Sequence, residues 1–346
     1  MNYELTKGRF APSPTGRMHL GNVFSALLSW LSVKSKGGKW LLRIEDIDPQ
    51  RSKQQYADQI MADLEWLGLT WDEGPYYQSE RSEIYEEYLE KLRQQNLLYL
   101  SYKTRAERLA VSAPQEDSPL TPLLERGEQL QDVSQNSLQK ENAYSSSNSL
   151  HPLNISQKGD TYSSPLSKRG AGGESAALAL CVSDCIITYQ DQHYGEQTIN
   201  IKEEIGDFIV RRRDGAWAYQ LAVVVDDALM GVTEVVRGRD LLQSAGQQIY
   251  LGGLLGFPRM EYAHLPLLCN EAGQRLSKRD KSMDLGQLRE HYSAEEIIGK
   301  LAVLAHLIDN KKEPCPNQAR FCCKPAEPVP LFDWKKVPLQ DIMLTF

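Results

Sequence analysis

The chain has 346 residues, a formal net charge of −7, 41% hydrophobic and 25% charged residues, and six cysteines. These are ordinary globular proportions with room for about two domains, and the acidic balance argues against a general nucleic-acid binder, although a local patch such as Arg211-Arg212-Arg213 keeps RNA contact open. No apolar run approaches the ~18 residues of a membrane span, and Met1-Asn2-Tyr3-Glu4 lacks the basic start and apolar core of a secretion signal, so a cytoplasmic chain with reduced cysteines is expected.

Phe10 and Ala11 read as the end of a buried parallel strand, broken by Pro12-Ser13-Pro14-Thr15-Gly16 because proline lacks an N–H and fixes φ. Leu20, Val23, Phe24, Leu27, Leu28 and Leu31 then recur at helical spacing. They predict a helix starting near Gly21 and stopped by Gly37-Gly38, with a second strand over Lys39 to Ile44. This unit points a helix N-terminus beyond the strand ends, a place that favours phosphate. His19 sits just ahead of it, where its imidazole could donate to a phosphate oxygen. Acidic residues at a strand's carboxyl edge face such a crevice. Glu45 is therefore assigned to the site, while Asp46 and Asp48 stay open between that role and capping a helix from about Ser52 to Leu67.

Ile84, Tyr88 and Leu92 mark a helix within Glu80 to Gln95, followed by a strand over Leu97 to Tyr102 and a helix over Thr104 to Ala110. From Val111 to Ala176 the chain is rich in Ser, Gln, Asn, Pro, Glu and Gly without a clean period, as expected of a long disordered insertion. It is either an RNA- or partner-contacting loop or, as favoured here, a tolerated surface insertion. Order resumes at Ala177. Strands are expected over Asp184 to Gln190, with a hairpin turn at Asp191–Gly195, and over Gly206 to Arg213. Tyr219 precedes a core run, Leu221–Val225, and a strand over Val232 to Val236 delivers Arg237. Asp240 is placed to cap a helix reaching about Gly253. A strand over Ala263 to Leu268, a turn at Asn270–Gly273, a mobile cationic loop at Arg275-Leu276-Ser277-Lys278-Arg279, helices over Leu285–His291 and Ala294–Asp309 and a proline-rich tail complete the reading.

Five segments, in this order and spacing, carry a family resemblance. His19-Leu20-Gly21-Asn22 stands where class I synthetases carry the HIGH signature, and Arg275–Arg279 where they carry KMSKS. Between them lie Arg43-Ile44-Glu45-Asp46-Ile47-Asp48, the run Trp217–Asp227, and Val235-Val236-Arg237-Gly238-Arg239-Asp240-Leu241. The chain resembles the class I glutamyl-tRNA synthetases, most closely their short branch, the glutamyl-queuosine tRNA(Asp) synthetases, over roughly residues 7–110 and 178–310. The resemblance implies an α/β fold: a Rossmann-like parallel sheet with a HIGH/KMSKS-type site, a small inserted α+β subdomain and a short helical C-terminal region. The boundaries drawn are 1–100 for the first half of the catalytic domain and 101–205 for the inserted subdomain with its disordered segment 111–176. The second half is 206–270, and 271–346 holds the cationic loop, helices and tail.

The same resemblance implies a glutamate pocket made by Arg9, Phe10, Ala11, Pro12, Ser13, Glu45, Tyr219 and Arg237. Glu45 would hold the α-ammonium, and the planar fork of Arg237 suits a carboxylate. ATP would be held by His19, Gly21, Asn22, Ser277 and Lys278, with Mg²⁺ on its phosphates and His19 and Lys278 as the catalytic pair. Two departures from the family pattern stand out. Val223 occupies a place where full-length members carry asparagine, as in the queuosine-directed enzymes. Ser101 and Lys103 occupy places where the short enzymes often carry zinc-binding cysteines, so no metal site and no zinc are expected. The implied partners are L-glutamate, ATP and tRNA(Asp) carrying queuosine, handled by a monomer. The alternatives are a truncated glutamyl-tRNA synthetase charging the tRNA 3′ end, and a non-catalytic amino-acid- or RNA-binding paralogue.

Overall fold

The computed structural model describes residues 5–102, 176–270, 273–276, 284–308 and 323–344. Strand β1 (Lys7–Phe10) passes through the proline segment into helix α1 (Leu20–Ser35), which returns as β2 (Lys39–Ile44), parallel to β1. Helix α2 (Gln54–Trp66) and strand β3 (Glu73–Tyr77), parallel to β2, repeat the step, and α3 (Ser82–Gln94) follows. Strands β4 (Leu98–Ser101) and β5 (Ala177–Leu180) pair antiparallel; β6 (Ile186–Asp191) and β7 (Gly195–Asn200) form a hairpin; β8 (Phe208–Arg211) joins the other edge of β5. The chain continues through α4 (Tyr219–Leu229), β9 (Glu234–Gly238), α5 (Leu242–Leu254), β10 (Glu261–Leu265), β11 (Leu268–Cys269), α6 (Leu285–His291), α7 (Ala294–Leu304) and β12 (Ile342–Met343).

The main sheet has seven strands in the order β3-β2-β1-β9-β10-β6-β7, parallel except for β7. Successive steps from β1 go to β2 and β3 on one side; the chain then returns to β9 on the other side of β1. The order therefore reverses between β1 and β9, and the carboxyl ends of those strands open a crevice there. Both faces of the sheet are covered: Val235 belongs to a buried cluster with α3, α4 and α5, while its neighbour Val236 belongs to one with α1, α2, α6 and α7. Close approach of α1 to β1 requires Gly8, where a Cβ would sit 2.3 Å from Val33 Cγ2. That approach aims the start of α1 at the crevice.

Several details differ from the sequence-based expectation. The hairpin β6–β7 joins the main sheet through β10 rather than standing in the inserted subdomain, and β8 pairs with β5 in the small sheet. Strand β3 carries no apolar alternation and has no counterpart in the sequence reading. Asp48 does not cap α2, which starts after Lys53 without a side-chain cap; Asp48 instead accepts from Arg212 at 2.9 Å. Asp46 accepts from the backbone N–H and hydroxyl of Ser79. Asp240 does not cap α5 either: a single 3₁₀ turn, Arg239–Leu241, comes first, and the Asp240 carboxylate pairs with Arg275. Within the tail, residues 323–344 are described. Its strand β12 adds parallel to β11, and Asp341 accepts from Arg239 and from Leu267 N. Among the described residues no helix is long and apolar enough to cross a membrane. The helix expected at Thr104–Ala110 and the insertion 111–176 lie outside the described residues.

Candidate active site

A cavity of about 170 Å³ opens at the carboxyl ends of β1, β9 and β10, where the strand order reverses. Its walls bring together residues far apart in sequence: Arg9, Phe10 and Ala11; His19, Gly21 and Asn22 at the start of α1; Glu45 after β2; Tyr219 at the start of α4; and Arg237 near the end of β9. Ser25, Val236, Gly238, Asp240, Leu241, Leu265–Leu268, Arg275 and Leu276 complete the lining. Pro12 and Ser13 are not part of it: Ser13 is exposed, and the Pro12 carbonyl accepts from Glu45 N at 3.0 Å, holding that residue in place. Ser277 and Lys278 lie outside the described residues.

His19 is the N-cap of α1. Its Nδ1 accepts from Gly21 N at 3.1 Å, while Asn22 Oδ1 accepts from His19 N at 3.1 Å. With Nδ1 occupied as an acceptor, a neutral ring carries its proton on Nε2. The ring is thus a positioned donor beside a helix N-terminus, two features that favour an anion. The packing is close: a Cβ on Gly21 would stand 3.0 Å from two ring atoms of His19. Gly21→Ala is expected to displace the ring by a few tenths of an ångström and to lower turnover by about tenfold, since a 1 Å misplacement can cost ~10²-fold, with the unfolding midpoint little changed. Steady-state kinetics beside denaturant unfolding checks this.

Beneath the pocket lies a buried cluster of charges. Arg43 donates through Nη1 to Asp227 Oδ1 at 2.7 Å and through Nη2 to Glu45 Oε1 at 3.3 Å, and its Nε stands 3.8 Å from Asp226 Oδ2. Arg9 Nε donates to Asp227 at 3.3 Å. Asp226 is held from the other side by Arg81 at 2.6 Å, Tyr85 at 2.7 Å and Gln78 at 2.8 Å. Burial pulls the Arg43 pKa down, but Asp227, Glu45 and Asp226 outweigh it and the value rises. Burial likewise opposes charge on Asp227, yet Arg43 and Arg9 hold it below the ordinary carboxylate range. Glu45 goes the other way. It is 7% exposed, and burial, against Arg43 and Arg9, pushes it up to about 7. Arg43 and Asp227 are thus a permanent ion pair that orients Arg9, whereas Glu45 is an under-neutralised carboxylate at the pocket wall.

Arg237, 6% exposed, is held by three partners. Its Nε donates to His264 Nε2 at 3.2 Å, Nη1 to Gln248 Oε1 at 2.7 Å, and Nη2 to the Leu241 carbonyl at 3.2 Å. Its guanidinium also stands 5.3 Å from the centre of the Tyr262 ring. One N–H on each terminal nitrogen remains beyond these bonds, the donor count that a bidentate carboxylate contact needs.

The ends of the cationic loop meet the same cavity. Leu276, which lines it, donates from its N–H to Leu268 O at 2.9 Å, and Arg275 bridges to Cys269. Beyond residues 277–283, Asp284 forms a β-bridge with His19, and Leu285 N donates to Met18 O at 3.0 Å. Both anchors of the loop therefore stand at the pocket, one against β11 and one against the HIGH-type segment. Among the described residues no group of three or more His, Cys, Asp and Glu side chains is placed to hold a metal ion. Ser101 is buried in β4, and Lys103 lies outside the described residues.

Arg43, Asp227, Gln248, His264 and Asp191 shape the pocket without having been singled out from sequence. The available signal was charge inside apolar runs: Arg43 within Trp40–Ile44 and Asp226-Asp227 after Leu221–Val225. Val223, standing where full-length members carry asparagine, is fully buried on α4 and is not among the residues lining the cavity.

The profile of the family described as "tRNA synthetases class I (E and Q), catalytic domain" matches residues 6–143 and 123–316. The chain belongs to this family. It is accordingly a ligase of the aminoacyl-tRNA synthetase type, with the Rossmann-like fold of that class. A relative named Glutamyl-Q tRNA(Asp) synthetase from Symbiobacterium thermophilum is 39% identical over 97% of this chain and 95% of its own. One of the same name from Nitratidesulfovibrio vulgaris is 39% identical over 88% of this chain and 87% of its own. A solved glutamate tRNA ligase from Elizabethkingia meningosepticum, crystallised with its amino acid, superposes with a TM-score of 0.69 at 25% identity, over 99% of this synthetase and 67% of that chain.

Proposed function

We propose that this synthetase activates L-glutamate with ATP and passes the glutamyl group to the queuosine of tRNA(Asp). The observation that carries the first step is the convergence, in one cavity, of a carboxylate (Glu45), two arginines (Arg9 and Arg237) and a positioned His19 at a helix tip. An amino acid with an acidic side chain is complementary to that set. Glu45 takes the α-ammonium, Arg237 clamps a carboxylate, and Arg9, steered by Asp227, supplies further positive charge. A carboxylate oxygen then attacks the α-phosphorus of ATP, forming a P–O bond while the bond to the departing pyrophosphate breaks. The chain's own part is positioning and placed charge. His19 Nε2–H and the start of α1 face the phosphates, and Lys278 joins them from a loop both of whose anchors stand at the pocket. Magnesium supplies charge neutralisation on the triphosphate, and it is characteristically held by substrate phosphates with one or two carboxylates rather than by a protein cage.

The acceptor is read from the relatives, whose names specify Glutamyl-Q tRNA(Asp) at 39% identity across nearly the whole chain. Transfer of labelled glutamate should therefore be seen on tRNA(Asp) carrying queuosine and not on the same tRNA lacking it or on tRNA(Glu). Charging of the 3′ end of tRNA(Glu) instead would assign the chain to the ordinary acceptor.

A further inference from the structure

We propose that Asp191 and His264 form a positioning pair that fixes the Arg237 guanidinium for the substrate carboxylate, a role that rests on the reading of this cavity as the glutamate site. His264, on β10, is fully buried and lies between Asp191 at the end of β6 and Arg237 on β9. Its Nδ1 is 2.6 Å from Asp191 Oδ2, and its Nε2 accepts from Arg237 Nε at 3.2 Å. The Leu241 carbonyl also stands near the ring, but the Arg237 and Asp191 contacts together select one tautomer. An Arg Nε always donates, so His264 Nε2 must carry a lone pair, and the ring proton must sit on Nδ1, donated to the carboxylate.

Asp191 is built to stay an acceptor. Its Oδ1 also takes the backbone N–H groups of His193 at 3.0 Å and Tyr194 at 2.9 Å, at the turn of the β6–β7 hairpin. Burial disfavours its charge, but His264 and these N–H groups bring its pKa below the ordinary range, and burial also lowers that of His264. Both effects keep a carboxylate facing a neutral ring. The charged and titratable groups packed around the imidazole are Asp191 from β6, Arg237 from β9 and Tyr262, stacked at 6.2 Å from within β10. A second proton on His264 would replace the acceptor facing Arg237 with a donor and put two cations in contact. The pair explains why the hairpin β6–β7 is sewn onto β10: it delivers one carboxylate that decides which way the arginine's fork points.

Asp191→Asn tests this with the shape kept. The amide can donate to Nδ1, which moves the ring proton to Nε2 and sets donor against donor at Arg237. The KM for glutamate in ATP–pyrophosphate exchange should rise about tenfold while the KM for ATP holds, about the cost of one charge-assisted hydrogen bond. His264→Leu should do the same, and His264→Gln, whose side-chain oxygen can accept from Arg237, should recover most of the loss. ¹⁵N chemical shifts of His264 in full-length protein read the tautomer without any activity: Nδ1–H in the wild type, Nε2–H in Asp191→Asn. An Nε2–H wild-type ring, or an unchanged glutamate KM in both Asp191→Asn and His264→Leu, overturns the proposal. A wild type with the Nδ1–H ring and no glutamate-dependent exchange would instead remove the glutamate reading while leaving the arginine's support as drawn.

Discussion

Arg237→Ala is expected to raise the KM for glutamate by about 10²–10³-fold, with the KM for ATP near its wild-type value. Truncating one side of a buried, hydrogen-bonded charge pair costs ~2–5 kcal/mol, much of it the penalty of leaving the other charge unpaired. Here the abandoned charge would be the substrate carboxylate, in a wall made by buried groups. The interaction exists before the reaction starts, so its loss falls chiefly on KM rather than kcat. Folding should tolerate the change, because Gln248 retains Gln220 at 2.9 Å and His264 retains Asp191 at 2.6 Å. Arg237→Lys should not restore affinity, since a point charge cannot keep the three existing bonds and still present a fork. Steady-state exchange kinetics with each substrate varied checks both.

Glu45→Gln should separate binding from stability, and the pH dependence gives the sign. In the free protein burial pushes Glu45 up to about 7, against 4.5 for the ordinary group. The folded state therefore holds this proton more tightly than the unfolded chain does. The stabilisation is complete below pH 4.5 and is lost as pH rises through about 7. Above that the ionised carboxylate costs up to ~3 kcal/mol. Glutamine keeps an acceptor for Arg43 without the charge. The unliganded variant should be more stable than the wild type at pH 8, by up to that amount, and nearly equal to it at pH 5, in denaturant unfolding. Binding should move oppositely. The wild-type KM for glutamate should fall as pH rises from 6 to 8, because an ammonium partner needs the ionised form, and in Glu45→Gln it should be high and flat. A variant that is less stable at pH 8 and still pH-dependent in KM would contradict the placement of this carboxylate.

Much of the frame was legible in the chain because it depends on periodicity and punctuation. The spacing of Leu20 to Leu31 predicts α1, whose apolar residues are buried between Leu20 and Val33. Gly37, at φ +67°, sits at its end as the glycine pair implied. The apolar run Leu221–Val225 is core, presenting Tyr219 to the cavity. What was not legible depends on pairing between distant segments. Nothing local in Ile186–Asp191 distinguishes a hairpin of a subdomain from the penultimate strand of the main sheet; a contact with Tyr262 decides it. Aspartate before a helix is a good cap in isolation, but Asp48 and Asp240 each found an arginine first. The tail's docking on Leu268–Cys269 combines backbone bonds that any sequence could make with one distant ion pair, Asp341 on Arg239, that no local pattern announces. In the site, Arg43 and Asp227 lie inside signature segments but, like Gln248 and His264, act through other side chains, so that only their pairing in the fold shows what they hold.

On the proposed function, the crevice between β1 and β9 holds glutamate and ATP together for attack at phosphorus. Exchange of labelled pyrophosphate into ATP by the purified protein, in the absence of tRNA, tests it most directly. Exchange should depend on L-glutamate and fall steeply in both Arg237→Ala and His19→Ala. Exchange that is absent with glutamate, or equally strong in those two variants, would contradict it.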